Sequence, residues 1–518
     1  MNGAHALIRT LVAAGVDTCF TNPGTSEMHF VAALDDVPEM RAVLGLFEGV
    51  VTGAADGYAR VAGRPAATLL HLGPGLGNGL ANLHNARRGR VPVVNIVGDH
   101  AISHEQYDAP LQSDIAALAG TLEGWVRRSA RTEEVAGDAA AAVAAAVGPP
   151  GQVATLILPA DVSWSEGAEV ASPAVAERPA TVEQETIDRV AKVLRSGEPS
   201  ALLVGGAAVH EQGLRAASRV ARATGAKLLC ETFPTRLERG AGLPAVERLG
   251  YLAEFTQMQL AGVRHLVLVD AKAPVSFFAY PEKPSYLVPD DCKVHGLAAG
   301  ADDAVGALEA LADIVAGGEQ PLVQEAARPD RPTGALTGET IAAAVGALLP
   351  EGAVVSDEAN TAGLWLNGAT AGAPRHDWLT LTGGAIGQGM PVATGAAVAA
   401  GSGRKVLSLE ADGSAMYTLQ ALWTQVREGL DVTTVIFNNR SYAILNLELS
   451  RVGAGAGGPK AHDMLDISRP DLDFVSLATG MGVPATRATT AEEFTTQLEA
   501  ALAHDGPNLI EAIIPSGF

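Results

Sequence analysis

Short runs dominated by apolar residues punctuate the chain. They fall at residues 67–72, 91–97 and 154–158 in the first third, and at 202–204 and 265–269 in the middle. The last third has 354–356, 406–409, 433–437 and 508–514. Continuous rather than alternating hydrophobicity is the pattern of strands covered on both faces. Ala-rich stretches of helical spacing lie between the runs; in 137–147, Val143 and Val147 stand one turn apart. Strands alternating with helices predict parallel sheets covered by helices, an α/β fold.

Two stretches, 165–183 and 317–334, are rich in Glu, Pro and Ala, lack periodicity and read as linkers. They divide the chain into 1–165, 184–316 and 335–518, three doubly wound parallel-sheet domains. The length of 518 residues agrees, at about 150 residues per domain.

Lys and Arg number 36 against 58 Asp and Glu, a net charge of −22. So acidic a surface, with no long basic block, excludes nucleic acid and anionic membranes as partners. An apolar content of 47% excludes disorder as the main state. Aromatic residues make up only 4% while glycines number 58, so the cores rest on Ala, Val and Leu with close backbone approaches. Cys19, Cys230 and Cys292 are odd in number and far apart, which excludes a disulfide framework and a Cys-rich zinc site. Residues 1–20 are broken by Arg9, Thr10 and Asp17, unlike a signal peptide. No apolar run reaches the roughly 20 residues of a membrane-spanning helix. A cytoplasmic enzyme is expected.

The chemistry-bearing strings fall in the outer thirds. The run at 406–409 leads into Asp412-Gly413-Ser414, a helix-like stretch follows at 419–427, and the next strand ends in Asn438-Asn439. An Asp after one parallel strand and an Asn pair after the next meet at the carboxyl edge of the sheet. Carboxylate and amide oxygens are hard ligands suited to Mg²⁺, and a helix opening near Ser414 offers free N–H groups to phosphate. Each string alone reads equally as a turn. The loop from Ser356 to Thr361 follows another strand and reads also as a helix cap.

In the first third, Glu48 ends an apolar strand among Phe47, Val50 and Val51. A carboxylate there is costly unless partnered or protonated; the alternative is an acid at a helix N-terminus. The loop Asn22-Pro23-Gly24-Thr25-Ser26-Glu27 reads as a Pro-Gly turn or a binding loop. His71 follows the first strand run and opens a glycine string reaching Gly79. That string is like a phosphate loop, but no acid follows the next strand as a dinucleotide site requires. His100 and His104 have helical spacing without a metalloprotease string, and no P-loop, nucleophile elbow or CxxC occurs.

Taken together these strings resemble the thiamine-diphosphate (ThDP) dependent enzymes over nearly the whole chain. Within them the chain is similar to the acetolactate synthase large-subunit (IlvX-like) and benzoylformate decarboxylase branch. The family fingerprint is Gly-Asp-Gly followed by Asn-Asn. Here the first Gly is Ala411, and the 24 residues 414–437 separate Gly413 from Asn438. The resemblance implies a pyrimidine-binding domain at 1–165, a middle Rossmann-like domain at 184–316 and a diphosphate domain at 335–518. It implies Mg²⁺ held by Asp412, Asn439 and the carbonyl of Ser441. Asn360, Thr361, Gly413, Ser414, Asn439 and Tyr442 would contact the cofactor. The carbonyl of Gly384 would accept from the pyrimidine amino group, and Ile386 would prop the cofactor bent. Glu48 would exchange a proton with the pyrimidine nitrogen, Thr25 would bind a substrate carboxylate, and His71 would serve as acid or base.

The resemblance also implies a substrate pocket at Leu111, Gln112, Leu445 and Glu448. Three departures bear on the substrate. Ala279 stands where benzoylformate decarboxylase has a second His, Leu111 falls about where acetolactate synthases have Gln, and Glu448 replaces an aromatic. A small or polar substrate is expected rather than a phenyl one. FAD is not expected, because the Rossmann-like unit opening at 200–206 has nothing specific to it. The activity implied is decarboxylation of a pyruvate-like 2-oxo acid, with carboligation of the retained fragment to an aldehyde or second 2-oxo acid. The alternatives are plain decarboxylation to an aldehyde, a non-catalytic ThDP-binding homologue, and a flavin oxidoreductase. The family further implies a homodimer or homotetramer with active sites at subunit interfaces.

Overall fold

The structure is a computed structural model that describes residues 1–516; the last two residues of the 335–518 segment lie outside the described residues. Three sheets form its frame. The first has six parallel strands in the order Arg41–Leu44, Thr18–Asn22, Ala66–Leu70, Val93–Asp99, Val153–Pro159, Val126–Arg128. The second has five, in the order Glu247–Arg248, Lys227–Cys230, Ser200–Val204, His265–Val269, Lys293–Ala298. The third has seven: Ala485–Ala488, Asn508–Ile513, Val432–Asn438, Val406–Ala411, Val354–Glu358, His376–Thr380 and Arg236–Arg239. Helices cover the sheets, and the fold is α/β as expected.

Burial explains which strands announce themselves. Ala66–Leu70, Val93–Asp99 and Val153–Pro159 are buried at every position and appear as apolar runs. The edge strands Arg41–Leu44, Val126–Arg128 and Ala485–Ala488 are half-exposed and carry no such run. One edge corrects the expectation of purely parallel sheets. Arg236–Arg239, from the middle of the chain, pairs antiparallel with His376–Thr380. Its alternating Arg and Glu residues are held ionically: Arg236 Nε donates to Asp377 Oδ1 at 3.1 Å, and the Arg239 guanidinium lies 5.2 Å from the Trp378 ring centroid. The linker stretches 165–183 and 317–334 contain neither helix nor strand.

Each sheet has a central place where the strand order reverses, and there the flanking loops diverge and open a crevice. In the first sheet it lies between Thr18–Asn22 and Ala66–Leu70, in the second between Ser200–Val204 and His265–Val269, in the third between Val354–Glu358 and Val406–Ala411. The helix Glu48–Ala62 of the first domain packs on Gly389–Ala400 of the third. Glycines let these backbones touch. A Cβ on Gly57 would lie 2.0 Å from the Val392 carbonyl oxygen, and one on Gly395 would lie 1.8 Å from that of Ala54. The crevices of the first and third sheets are thereby fixed in relation to each other.

Candidate active site

At the third sheet's reversal, Val406–Ala411 delivers Asp412 to the first position of the helix Asp412–Thr418. Its carboxylate is buried and accepts the N–H groups of Gly413 at 2.8 Å and Arg440 at 2.6 Å. Burial pushes this carboxyl up to about 6. Asn439, at the end of the neighbouring strand, accepts Ser441 N–H through Oδ1 at 3.0 Å. Asn360, across the crevice, donates from Nδ2 to Ser414 Oγ at 3.0 Å and takes the left-handed conformation at φ +51°. Tyr442 packs against Gly413, where a Cβ would come 2.5 Å from its ring. One carboxylate with amide and carbonyl oxygens, beside a helix N-terminus, fits a hard divalent cation carrying a diphosphate. Among the described residues no three His, Cys, Asp or Glu side chains form a metal cluster.

The glycine-rich loop 382–389 borders this site. Gly384 sits at φ +76° with open space where a Cβ would be, which a larger residue would strain. Beneath the loop Glu358 accepts the N–H of Gly387 at 2.8 Å and that of Gly389. Burial raises the Glu358 carboxyl to about 7. Glu410 is wholly buried beside it and is raised well above the usual range, first by burial and then by the charge of Glu358. Two like charges cannot both persist there, so the Glu410 carboxyl holds the proton.

The first sheet's crevice holds the other expected group. Its two flanking loops meet, because a Cβ on Gly24 would lie 2.3 Å from the His71 ring. His71 Nδ1 lies 2.8 Å from Glu27 Oε2. Glu27 is fully buried and also accepts Gly24 N–H at 2.7 Å and the Ser26 hydroxyl at 2.5 Å. Thr25 stands exposed beside them. The strand expected over 67–72 ends at Leu70, and Leu72 at φ +48° begins the helix Leu72–Arg88. The glycine string 73–79 is therefore helical. Its glycines serve packing: a Cβ on Gly75 would meet Glu48 Oε1 at 3.4 Å, and one on Gly79 would meet Thr52 at 2.8 Å. Glu48 itself opens the helix Glu48–Ala62 rather than ending a strand, since the preceding strand stops at Leu44. It is buried and accepts Asn78 Nδ2 at 3.0 Å.

The expected pocket residues spread over two walls. Leu111 is 39% exposed and Leu445 45% exposed, while Gln112 is half-buried with Oε1 unpartnered. Ser113 closes on the His71 loop, since a Cβ on Gly73 would lie 1.9 Å from its Oγ. Glu448 turns into the protein. It is 9% exposed and lies 3.5 Å from Arg451 Nε. Arg451 in turn donates to Glu254 at 3.0 Å and sits 4.9 Å from the Tyr280 ring centroid. Burial, followed by the charge of Glu448, pushes the Tyr251 phenol up to about 12.

The second sheet's crevice is plugged. Arg90, from the first domain, pairs with the Asp270 carboxylate and donates to the Asp270 carbonyl at 3.0 Å. Cβ atoms on Gly205 and Gly206 would meet Glu231 at 2.8 Å and Asp270 at 1.8 Å. A dinucleotide diphosphate entering this crevice would meet two carboxylates.

Sequence reasoning left Glu27, Glu358, Glu410, Asn82 and Asn85 without roles. Glu358 and Glu410 carried one signal, an acid within or at the end of an apolar strand. The two Asn residues carried none, because their partners lie some 300 positions away.

Residues 1–119 match the family model described as thiamine pyrophosphate enzyme, N-terminal TPP binding domain, and 361–512 match the C-terminal TPP binding domain. The chain is 64% identical to the "Putative acetolactate synthase large subunit IlvX" of Mycobacterium tuberculosis, over 100% of this chain and 99% of that one. It is 31% identical to the benzoylformate decarboxylase of Pseudomonas aeruginosa over 96% of each chain. The solved structure of the thiamine diphosphate-dependent 4-hydroxybenzoylformate decarboxylase of Rhodococcus jostii superposes with a TM-score of 0.87 at 26% identity, covering 99% of both chains.

Proposed function

The chain belongs to the thiamine-diphosphate-dependent enzymes, and from that premise we propose that it decarboxylates a small 2-oxo acid and joins the retained fragment to a second carbonyl compound. This is the acetolactate synthase type of carboligation. Asp412, Asn439 and the Ser441 carbonyl would hold Mg²⁺, with Asn360, Thr361, Gly413, Ser414 and Tyr442 around the diphosphate. Bound ThDP would supply the carbon nucleophile that adds to the 2-oxo carbon and takes up the electron pair left when CO₂ departs.

The chain's own side chains do the rest. Glu48, buried and oriented by Asn78, exchanges a proton with the pyrimidine nitrogen. Gly384 and Ile386 hold the cofactor's shape. Thr25 hydrogen-bonds the substrate carboxylate. His71, with Nδ1 committed to Glu27, is left to move protons at Nε2.

The observation that carries carboligation over aldehyde release is the segment 273–280, whose Tyr280 packs on Arg451 beside Glu448. It holds no imidazole: Ala279 is exposed, and Tyr280 is buried under Arg451. Protonating the retained fragment there lacks a second acid, so capture by another carbonyl is favoured. The whole-length similarity to the "Putative acetolactate synthase large subunit IlvX" supports the same reading. FAD takes no part, in keeping with the Arg90 plug.

Exposed apolar side chains on both domains support completion of the site by a second copy, in a homodimer or homotetramer. Leu364, Trp365, Met416 and Tyr417 crowd the third domain's crevice, while Leu46 stands two residues before Glu48. Three free cysteines support a reducing, cytoplasmic setting. No helix among the described residues is long and apolar enough to cross a membrane.

The test is incubation of the protein with pyruvate, Mg²⁺ and ThDP, with assays for acetolactate, acetaldehyde and CO₂. Acetolactate is expected. Acetaldehyde alone would favour plain decarboxylation, and no CO₂ from any of a panel of 2-oxo acids would overturn the proposal.

A further inference from the structure

Two buried asparagines on the helix Leu72–Arg88 reach both halves of the site. Asn82 Nδ2 donates to the carbonyl of Gly49, the residue after Glu48, at 2.7 Å. The same nitrogen donates to the carbonyl of Gly387, the residue after Ile386, at 3.2 Å. Asn82 Oδ1 accepts Asn85 Nδ2 at 3.0 Å. Asn85 then grips Ala385 on both sides, donating to its carbonyl at 2.8 Å and accepting its N–H at 3.1 Å. All four amide hydrogens of the pair are engaged, and both side chains are buried, at 3% and 0% exposure. Rotating either amide by half a turn would oppose oxygen to carbonyl or N–H to N–H, so each is locked in one orientation. Thr382 Oγ1 adds a bond to the Asn85 carbonyl at 2.7 Å.

We propose that Asn82 and Asn85 are positioning residues that set Glu48 and the Ile386 loop at a fixed separation. The inference rests on the reading of Glu48 and Ile386 given above, and it adds what couples them. Asn85 fixes the loop. Asn82 ties that loop to the first turn of the Glu48 helix, so a shift in one segment is passed to the other. The clasp acts within one chain, irrespective of which subunit's domains complete each site. A catalytic acid and a loop that holds a cofactor's shape each work only when held within a fraction of an ångström, and two saturated amides supply that rigidity to both segments where the loop's own glycines cannot.

The test uses the full-length protein without cofactor and follows amide hydrogen exchange, which reports local opening. Asn85→Ala should raise exchange over 383–389 at least tenfold while leaving 48–53 near wild type. Asn82→Ala should raise both segments. Gln425→Met removes a buried bond to Thr394 in the same domain and should raise neither. If Asn82→Ala does not fold, Gly383→Ala is the substitute. Its Cβ would lie 2.4 Å from Asn85 Oδ1, so it displaces the loop from an intact amide pair and should loosen 383–389.

With Mg²⁺ and ThDP saturating, Asn82→Ala should also slow exchange of the cofactor C2 proton at least tenfold. Wild-type protection of 383–389 in folded Asn82→Ala, or in the Gly383→Ala substitute, would overturn the proposal. Equal loosening by Gln425→Met would do the same. A wild-type protein that binds ThDP but exchanges no C2 proton would instead overturn the role given to Glu48, and the amide pattern would still decide the clasp.

Discussion

His71 Nδ1 lies 2.8 Å from Oε2 of the fully buried Glu27. A carboxylate can only accept, so Nδ1 carries the hydrogen and Nε2 is left free. The other Glu27 bonds come from Gly24 N–H and the Ser26 hydroxyl, which tie the loop bearing Thr25 to the same acid. Glu27→Gln keeps the volume but places an NH₂ against at least one of these donors. We expect kcat to fall about tenfold to a hundredfold, within the range of positioned acid–base groups, with KM nearly unchanged. Steady-state kinetics on a 2-oxo acid would read this; unchanged kcat would remove His71 from proton transfer.

Glu48→Gln should leave Mg²⁺–ThDP bound and slow exchange of the cofactor C2 proton by at least about a hundredfold. Proton NMR after quenching measures that exchange, and calorimetry measures the binding. Wild-type exchange would sink the assignment.

Asp412→Asn should act with opposite signs on two measurements. The carboxyl is raised by burial from 3.8 to about 6 in the protein without cation. A raised folded-state value stabilises fully below 3.8 and is lost as pH rises through about 6. At pH 8 the cation-free wild type therefore carries a penalty of up to about 3 kcal/mol. The variant escapes it and should melt at a higher temperature without ligand. Its Mg²⁺-dependent ThDP affinity should nonetheless fall more than about tenfold, because a charged oxygen ligand is gone. A variant less stable than wild type at pH 8 would contradict this account.

His376 supplies a pH effect remote from the chemistry. It is 3% exposed, and burial lowers it from 6.5 to about 4. Nδ1 donates to the Pro374 carbonyl at 2.7 Å. A depressed value favours the folded state above 6.5, and the advantage is lost as pH falls through about 4. Wild type should lose about 3 kcal/mol over that window from this group. His376→Phe should flatten that part of the curve in urea titrations at stepped pH; an unchanged slope would refute it.

Gly57→Ala places a Cβ 2.0 Å from the Val392 carbonyl oxygen. Helix backbones in contact cannot give way cheaply, so a loss of about 2 kcal/mol or more is expected. A lowered urea midpoint would register it, and a neutral substitution would mean the two helices can separate.

The buried strands, the three-sheet α/β frame and the strings around Glu48, Asp412 and Asn439 were legible along the chain. Strands buried on both faces are dominated by apolar residues, and hard-ligand chemistry needs particular side chains at strand ends. The half-exposed edge strands were not legible, nor was Arg236–Arg239, whose charged residues find partners in all three domains, at Arg60, Glu211 and Asp377. The helical glycines at 73–79 looked like a phosphate loop, because glycine marks close approach without saying what approaches. Only the tertiary structure decided that Glu27 lies under His71, that Arg90 fills the middle crevice, and that Asn82 and Asn85 hold the loop at 382–389. The sequence determined which groups were available for chemistry. Their bonds join residues tens to hundreds of positions apart, and a hydrogen bond depends on distance and angle in space, which no local pattern encodes.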